Sequence, residues 1–219
     1  MNKEVRSLEF EIRAEETGSE NRAGRLTGTP IVFSQQTDLG WIREVIEPGA
    51  LDNTDLKDVR FLVGHDTTMI PLARSRNNNE NSTMQLSVNE RGMDIRVDLD
   101  IEGNPRAKEL YSAVKRGDIS GMSFMFTVNR SVWEEEESEN PLRRIAHIEK
   151  VFEVSAVAFP AYDSTKLQAA SDHAPEGDDD PLESALKREL QEVRERKQAD
   201  RRRTAALDRL EKLQKEVRT

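Results

Sequence analysis

A histidine and a serine stand at positions where β-strands could present them for chemistry. His65 lies at the end of an apolar strand predicted over 58–66, and a strand end is where a rigid scaffold often presents a reactive side chain. Ser123 lies in a strand predicted over 119–134, and Ser120 would face the opposite side because side chains alternate along a strand. Histidine can take the proton of a serine hydroxyl that attacks a carbonyl, so these residue types fit nucleophilic acyl transfer. Taken singly, each is more often a structural residue.

A carboxylate could complete such an arrangement. Glu153 lies in an otherwise apolar run, and an acidic side chain is costly to bury there without a partner. If His65 and Ser123 meet, a buried carboxylate could orient the imidazole and stabilise its charged form. Two other residues could orient His65 in place of Glu153. Glu149 is less enclosed by apolar neighbours, and His147 has basic neighbours typical of an exposed strand. A glutamate that faces solvent on an edge strand is the simpler alternative for Glu153.

The composition excludes several other classes of site. The chain of 219 residues contains no cysteine and three histidines, so disulfide scaffolds, cysteine-bound metals and thiol nucleophiles are excluded. No HExxH motif occurs, so a histidine-rich metal site is not expected. The net charge of −9 disfavours broad binding to nucleic acid. No apolar run could span a bilayer and the first residues lack a signal-peptide core, so a soluble cytosolic chain is expected.

Elements rich in β-structure must position these residues. Alternating or apolar segments predict seven or eight strands, among them 5–14, 24–34, a hairpin over 83–100, 119–134, and one long strand or a pair over 142–160. A helix is predicted over 104–118, with Asn104 as its cap and Gly117 at its end, and a second helix start is predicted around 51–56. This order is not an alternating βα pattern. It predicts a β-rich α+β fold, a mostly antiparallel barrel with peripheral helices.

The C-terminal residues differ from this body. We predict a domain over 1–170, an acidic flexible linker over 171–182 and a charged helix over 183–219. Most of the negative charge lies in the body, because the acidic and basic halves of the tail nearly cancel. The apolar stripe of the helix is thin, and such a helix more often meets a partner helix than its own body. The arginine cluster 201–203 could touch nucleic acid, which the acidic body makes an unfavoured alternative.

Five segments, in this order and spacing, resemble the prohead (capsid maturation) protease family of tailed phages, which is similar in fold to the herpesvirus assemblins. The segments are 42–51 (IREVIEPGAL), 59–66 (VRFLVGHD), 84–100 (MQLSVNERGMDIRVDLD), 115–126 (KRGDISGMSFMF) and 151–165 (VFEVSAVAFPAYDST). The likeness covers most of residues 5–168. It implies a herpesvirus-protease-like barrel and the activity of a serine endopeptidase.

The resemblance also implies roles for the candidate residues. His65 matches the family histidine, Ser123 in Gly-Met-Ser-Phe matches the nucleophile with Ser120 as the alternative, and Glu153 matches an acidic position that would complete a triad. No metal or cofactor is implied. In assemblins the third member of the triad is a second histidine, so His147 stays an alternative to Glu153 for this role.

Partners and location follow from the same resemblance. The expected substrate is the scaffold or scaffold-like region of the major capsid protein, together with the enzyme itself, inside the immature capsid in the host cytoplasm. A homodimer is a further expectation, because assemblins gain activity by dimerising. The tail would dock on scaffold helices and carry the enzyme into the shell. The alternative function is a non-catalytic capsid assembly or scaffolding protein that acts through its C-terminal helix.

Overall fold

The computed structural model describes residues 3–8, 12–15, 24–158 and 181–216, which form two β-sheets and two helices. The larger sheet contains β1 (Glu4–Leu8), β4 (Gln36–Asp38), β5 (Arg43–Ile46), β6 (Asp58–Val63), β7 (Ala73–Arg76), β10 (Gly121–Glu134) and β11 (Leu142–Val157). The smaller sheet contains β2 (Arg13–Glu15), β3 (Gly24–Val32), β8 (Met84–Asn89) and β9 (Gly92–Leu99). The helices are α1 (Pro105–Arg116) and α2 (Pro181–Glu216).

Strand β11 is the centre of the larger sheet. It pairs antiparallel with β10, and on its other edge it pairs parallel with β5 near its start and with β6 near its end. Of the two alternatives predicted for this segment, one long strand of 16 residues is observed. Because β6, β10 and β11 are neighbours, residues near the ends of these three strands meet at one place in the sheet.

The β-rich α+β class predicted from the sequence is confirmed. The larger sheet is mixed, however, since the pairs of β11 with β5 and β6 are parallel. Within the described residues the strands form two sheets and not one closed barrel, so the herpesvirus-protease-like barrel is not confirmed. The strand predicted over 5–14 is in fact two strands in different sheets, β1 and β2.

The main core lies between the two sheets and helix α1. Phe124 and Phe126 of β10 stack there with ring centroids 4.8 Å apart, and both are fully buried. Replacing either ring with alanine would cost about 3–5 kcal/mol of stability, the usual cost for a buried aromatic side chain. The core therefore fixes one face of β10 and leaves the side chains of the opposite face for other roles.

Helix α1 has the ends that the sequence predicts. Asn104 caps it by accepting a hydrogen bond from the Arg106 backbone N–H at 3.1 Å, and Gly117 ends it in the left-handed conformation at φ 81°. Ala107, Leu110 and Val114 form its buried face. The helix start predicted around 51–56 is wrong, because turns and an isolated bridge occupy those residues.

Helix α2 packs against the body with its first turns. Leu182, Leu186 and Leu190 form a second buried cluster with Ile42 and Trp133. The expectation that the thin stripe would leave the helix apart from the body is thus wrong for these turns, because three leucines at helical spacing suffice to cover one tryptophan.

The predicted domain boundary at 170 and most of the predicted linker lie in 159–180, outside the described residues, as do 217–219 at the end of the predicted helix. The boundary at residue 170 therefore stays a prediction. Helix α2 begins at Pro181, two residues before the predicted start. In the part of the chain that is described, no helix has the length and apolar character needed to cross a membrane.

Candidate active site

A turn after β6 brings His65 back over the sheet. Gly64 and His65 both have positive φ, 58° and 61°, which reverses the chain directly after the strand. Such a backbone costs a non-glycine residue about 1–3 kcal/mol and is found mostly where the surrounding structure enforces it. Two hydrogen bonds to β11 enforce it here: Gly64 N–H donates to Ala156 O at 3.0 Å, and His65 N–H donates to Ser155 Oγ at 3.1 Å.

Alternation along β10 places Ser123 on the face opposite the core. Its neighbours Met122 and Phe124 point into the core, and the Ser123 side chain points away from them. Ser123 is nevertheless fully buried, and β1 and β11 pair with its strand on either side. Its position in a strand with neighbours on both sides makes the hydroxyl well fixed.

Glu153 lies on the same face as Ser123, next to a β-bulge in β11. Ser123 lies opposite Ser155, and Met125 lies opposite Glu153, whereas the next residue of β10 pairs with Val151. One residue of β11 is therefore extra, and the two side chains after it, Glu153 and Ser155, point to the face that Ser123 occupies. Glu153 is 2% exposed. Bulges commonly re-aim side chains beside active sites.

The three predicted residues meet in one chain of hydrogen bonds. His65 Nε2 lies 2.6 Å from Ser123 Oγ, and His65 Nδ1 lies 2.5 Å from Glu153 Oε1. Both distances are those of strong hydrogen bonds. The order hydroxyl, imidazole, carboxylate permits one defined path for a proton: from Ser123 to His65, with the resulting imidazolium held by the carboxylate.

Ser123 has a second hydrogen-bond acceptor. Its Oγ lies 2.9 Å from the carbonyl oxygen of Arg6 in β1, and a carbonyl can only accept. Since the hydroxyl carries one proton, it can donate to Arg6 O or to His65 Nε2. When it donates to Arg6 O, Nε2 must carry a proton and donate to Ser123; when Nε2 is unprotonated, Ser123 donates to it instead. The protonation state of His65 thus decides where the hydroxyl points.

Ser155 is a residue of the site that the sequence analysis missed. It is fully buried, its Oγ donates to Glu153 Oε2 at 2.6 Å, and the same oxygen accepts from the His65 backbone. The available signal was its spacing: two residues after Glu153 on a predicted strand, Ser155 must share the face of that carboxylate.

The alternative candidates lie elsewhere. Ser120 precedes β10 with an exposed side chain. His147 Nε2 is 3.1 Å from the carbonyl oxygen of Asp52, and Glu149 is exposed, with its carboxylate 3.4 Å from Thr127 Oγ1. The structure thus brings together His65 with Ser123 and Glu153, and not with these three. Among the described residues, no cluster of histidine, aspartate and glutamate side chains is arranged to hold a metal.

A cluster of buried ion pairs holds β1, the strand that pairs with β10 beside Ser123. Arg6 of β1 pairs with Glu44 through Nε at 2.5 Å and with Glu4 at 2.7 Å, and Arg143 of β11 pairs with Glu4 at 2.7 Å and with Glu44 at 3.1 Å. Glu189 of α2 joins the cluster, with its Oε2 3.2 Å from Arg143. Burial by itself would raise the pKa of Glu4, but the charges of Arg6 and Arg143 outweigh it and hold that pKa below its ordinary value.

Comparison with known proteins shows to which family the chain belongs. The searches of curated proteins and of solved structures returned no match. A family model described as caudovirus prohead serine protease matches residues 8–179, which is well over half of the chain and includes the strands that carry His65, Ser123 and Glu153. The family implies a protease of capsid maturation that associates with capsid proteins in the prohead. The chain belongs to the caudovirus prohead serine protease family.

Proposed function

We propose that this chain is a serine endopeptidase in which Ser123 is the nucleophile, His65 the general base and Glu153 the residue that orients the histidine. The observation that carries the proposal is the continuous hydrogen-bonded contact of Ser123 Oγ, the two nitrogens of His65 and Glu153 Oε1. Neutral His65 with its proton on Nδ1 donates to Glu153 and leaves Nε2 free to accept from Ser123.

The reaction follows from this tautomer. Ser123 Oγ attacks the carbonyl carbon of the scissile peptide bond while its proton passes to His65 Nε2, which gives a tetrahedral intermediate and an imidazolium. The C–N bond then breaks, and the amine leaves with the proton from His65. A water molecule attacks the acyl ester next; His65 takes its proton and returns it to Ser123 Oγ as the acid product leaves.

The proposed substrates are the scaffold or scaffold-like region of the major capsid protein and the chain itself, cleaved inside the prohead in the host cytoplasm. The family supports association with capsid proteins. The turns of α2 over 194–209, with largely exposed side chains, support a role in contacting the scaffold. A homodimer is part of the same proposal.

Co-expression with capsid protein tests the proposal. We expect wild type to shorten the capsid protein and Ser123→Ala to leave it intact, because loss of the nucleophile reduces serine protease turnover by roughly 10⁶-fold. Ser120→Ala is the matched control and should cleave as wild type does. Gel electrophoresis and mass spectrometry read the products. Identical fragments from wild type and Ser123→Ala would contradict the assignment.

A second candidate is a non-catalytic assembly protein that acts through α2. The observation that favours it is the complete burial of Ser123, whose hydroxyl a substrate must reach. A fluorophosphonate probe separates the two functions, since it labels an activated serine and not an ordinary one. Labelling of Ser123, located by peptide mass spectrometry and absent from Ser123→Ala, supports the protease. Shell assembly that proceeds unchanged with Ser123→Ala but fails without residues 181–219 supports the assembly protein.

A further inference from the structure

We propose that Ser155 is a positioning residue of this active site: its single hydroxyl fixes both the carboxylate of Glu153 and the backbone of His65. The inference rests on the proposed function, in which these two residues act together. Ser155 lies opposite Ser123 in the register of β10 and β11, so the three residues of the proposed triad surround it.

The first contact fixes the rotation of the carboxylate. Glu153 has two oxygens; Oε1 faces His65 Nδ1 and Oε2 accepts from Ser155 Oγ at 2.6 Å. The terminal torsion of a glutamate is broad and does not fix the plane of the carboxylate by itself. A donor on Oε2 selects the orientation in which Oε1 points at the imidazole. It also satisfies an oxygen that is buried from water.

The second contact fixes the backbone that carries the imidazole. His65 has φ 61°, a conformation that a histidine rarely adopts, and its N–H donates to Ser155 Oγ at 3.1 Å. The preceding Gly64 is tied to the backbone of β11 through Ala156, but His65 itself is tied to that strand through the Ser155 hydroxyl. Without that acceptor the turn loses the bond that opposes its strain.

The two contacts use the hydroxyl in complementary ways. Its proton goes to Glu153 and a lone pair receives the His65 N–H, so one oxygen atom sets the distance between the base and the carboxylate that orients it. Groups that orient the histidine and carboxylate ligands of metal sites usually change activity about tenfold to hundredfold when removed, and we expect an effect of similar size here.

Ser75 provides a matched control for packing. It is also a fully buried serine on a strand of the larger sheet, and within the described part of the chain its hydroxyl has no hydrogen-bond partner. Ser75→Ala and Ser155→Ala remove the same atom from equally buried sites. A difference between the two variants therefore reports the contacts of Ser155 and not the loss of a buried oxygen as such.

The test compares full-length wild type with Ser155→Ala, Ser155→Thr and Ser75→Ala. Fluorophosphonate labelling and cleavage of a capsid-derived peptide give rates per folded molecule, with folding checked by circular dichroism. We expect Ser155→Ala to lower kcat about tenfold to hundredfold with KM within about twofold, and to move the acid limb of the pH profile. Ser155→Thr keeps the hydroxyl and should recover most of the rate, and Ser75→Ala should match wild type. Equal rates for Ser155→Ala and wild type would overturn the proposal.

A measurement that needs no activity keeps this inference separate from the proposed function. The proton between His65 Nδ1 and Glu153 Oε1, at 2.5 Å, should give a far-downfield proton resonance in wild type. Ser155→Ala should shift or broaden it, and Ser75→Ala should not. An unchanged resonance in Ser155→Ala refutes the positioning role. A Ser155-dependent resonance in a protein that neither cleaves nor labels would refute the protease and leave the positioning role standing.

Discussion

Val151 and Glu153 are two residues apart on β11, yet their side chains lie on opposite faces of the sheet. In a regular strand such residues share a face. Phe152 is the extra residue of the bulge, because Phe126 pairs with Val151 and Met125 pairs with Glu153. In a regular strand of the same sequence, Glu153 would share the core face of Val151. The bulge therefore lets Val151 enter the apolar core while Glu153, two residues later, faces His65.

Glu153→Gln should reduce cleavage by about 10⁴-fold, the size of effect seen when a triad carboxylate becomes an amide. The amide keeps the shape of the side chain but no longer enforces the tautomer with the proton on His65 Nδ1. Steady-state kinetics on a peptide substrate measures the effect. Glu149→Gln, an exposed position on the same strand, is the matched control and should retain the wild-type rate. Comparable loss in both variants would argue against a role for Glu153 in orienting His65.

Substitutions of His65 should separate chemistry from backbone strain. His65→Asn and His65→Val both remove the base and should both abolish cleavage. Asparagine tolerates positive φ, whereas a β-branched valine does not, so we expect His65→Val to be less stable than His65→Asn by about 1–2 kcal/mol. Urea unfolding at neutral pH measures the difference. Equal stabilities would mean that the turn at 64–65 relaxes to an ordinary backbone.

The meeting of the three site residues could be hypothesised from sequence, but its cause could not. The strand end before His65, the alternation around Ser123 and the buried carboxylate Glu153 are local patterns, and the structure places all three together. The bulge at Phe152 depends on pairing with a distant strand, and no local pattern marks it. Without that bulge, the period of two would have placed Glu153 with Val151 in the core.

The rest of the fold also contains features that local sequence signals predict and features that depend on long-range contacts. Helix α1 could be predicted because its cap and its final glycine are local signals. The docking of α2 could not, since Trp133 lies far from Leu186 in the sequence and the helix itself shows only a thin stripe. The parallel pairs of β11 with β5 and β6 are likewise long-range contacts, which local periodicity does not encode.

The ion cluster makes stability depend on pH. Because Arg6 and Arg143 hold the pKa of Glu4 below its ordinary value, its contribution to stability is complete above the unfolded pKa and is lost as the pH falls through the folded pKa. Glu4→Gln should therefore lower the free energy of unfolding by about 3–5 kcal/mol at pH 7, the usual cost of breaking a buried ion pair. The gap to wild type should close in acid, where Glu4 is protonated.

Urea unfolding of wild type and Glu4→Gln between pH 7 and pH 3 measures this gap. Glu149→Gln serves as the control for a surface glutamate and should stay within about 0.5 kcal/mol of wild type. A gap that is the same at every pH would show that Glu4 contributes through packing and not through its charge.

The docking of α2 should depend on one part of its apolar stripe. Leu186 is buried against Trp133 and Ile42, whereas Leu207 on the same helix is 53% exposed. Leu186→Ala should therefore weaken docking by about 2–4 kcal/mol, and Leu207→Ala should change it by less than about 0.5 kcal/mol. Amide hydrogen exchange of β10 near Trp133 measures the docked fraction. Glu189 pairs with Arg143, which pairs with Glu4 of β1, and the Arg6 carbonyl of β1 accepts from Ser123, so Leu186→Ala should also change the rate of fluorophosphonate labelling. Equal exchange in the two variants would show that the helix is not held by these leucines.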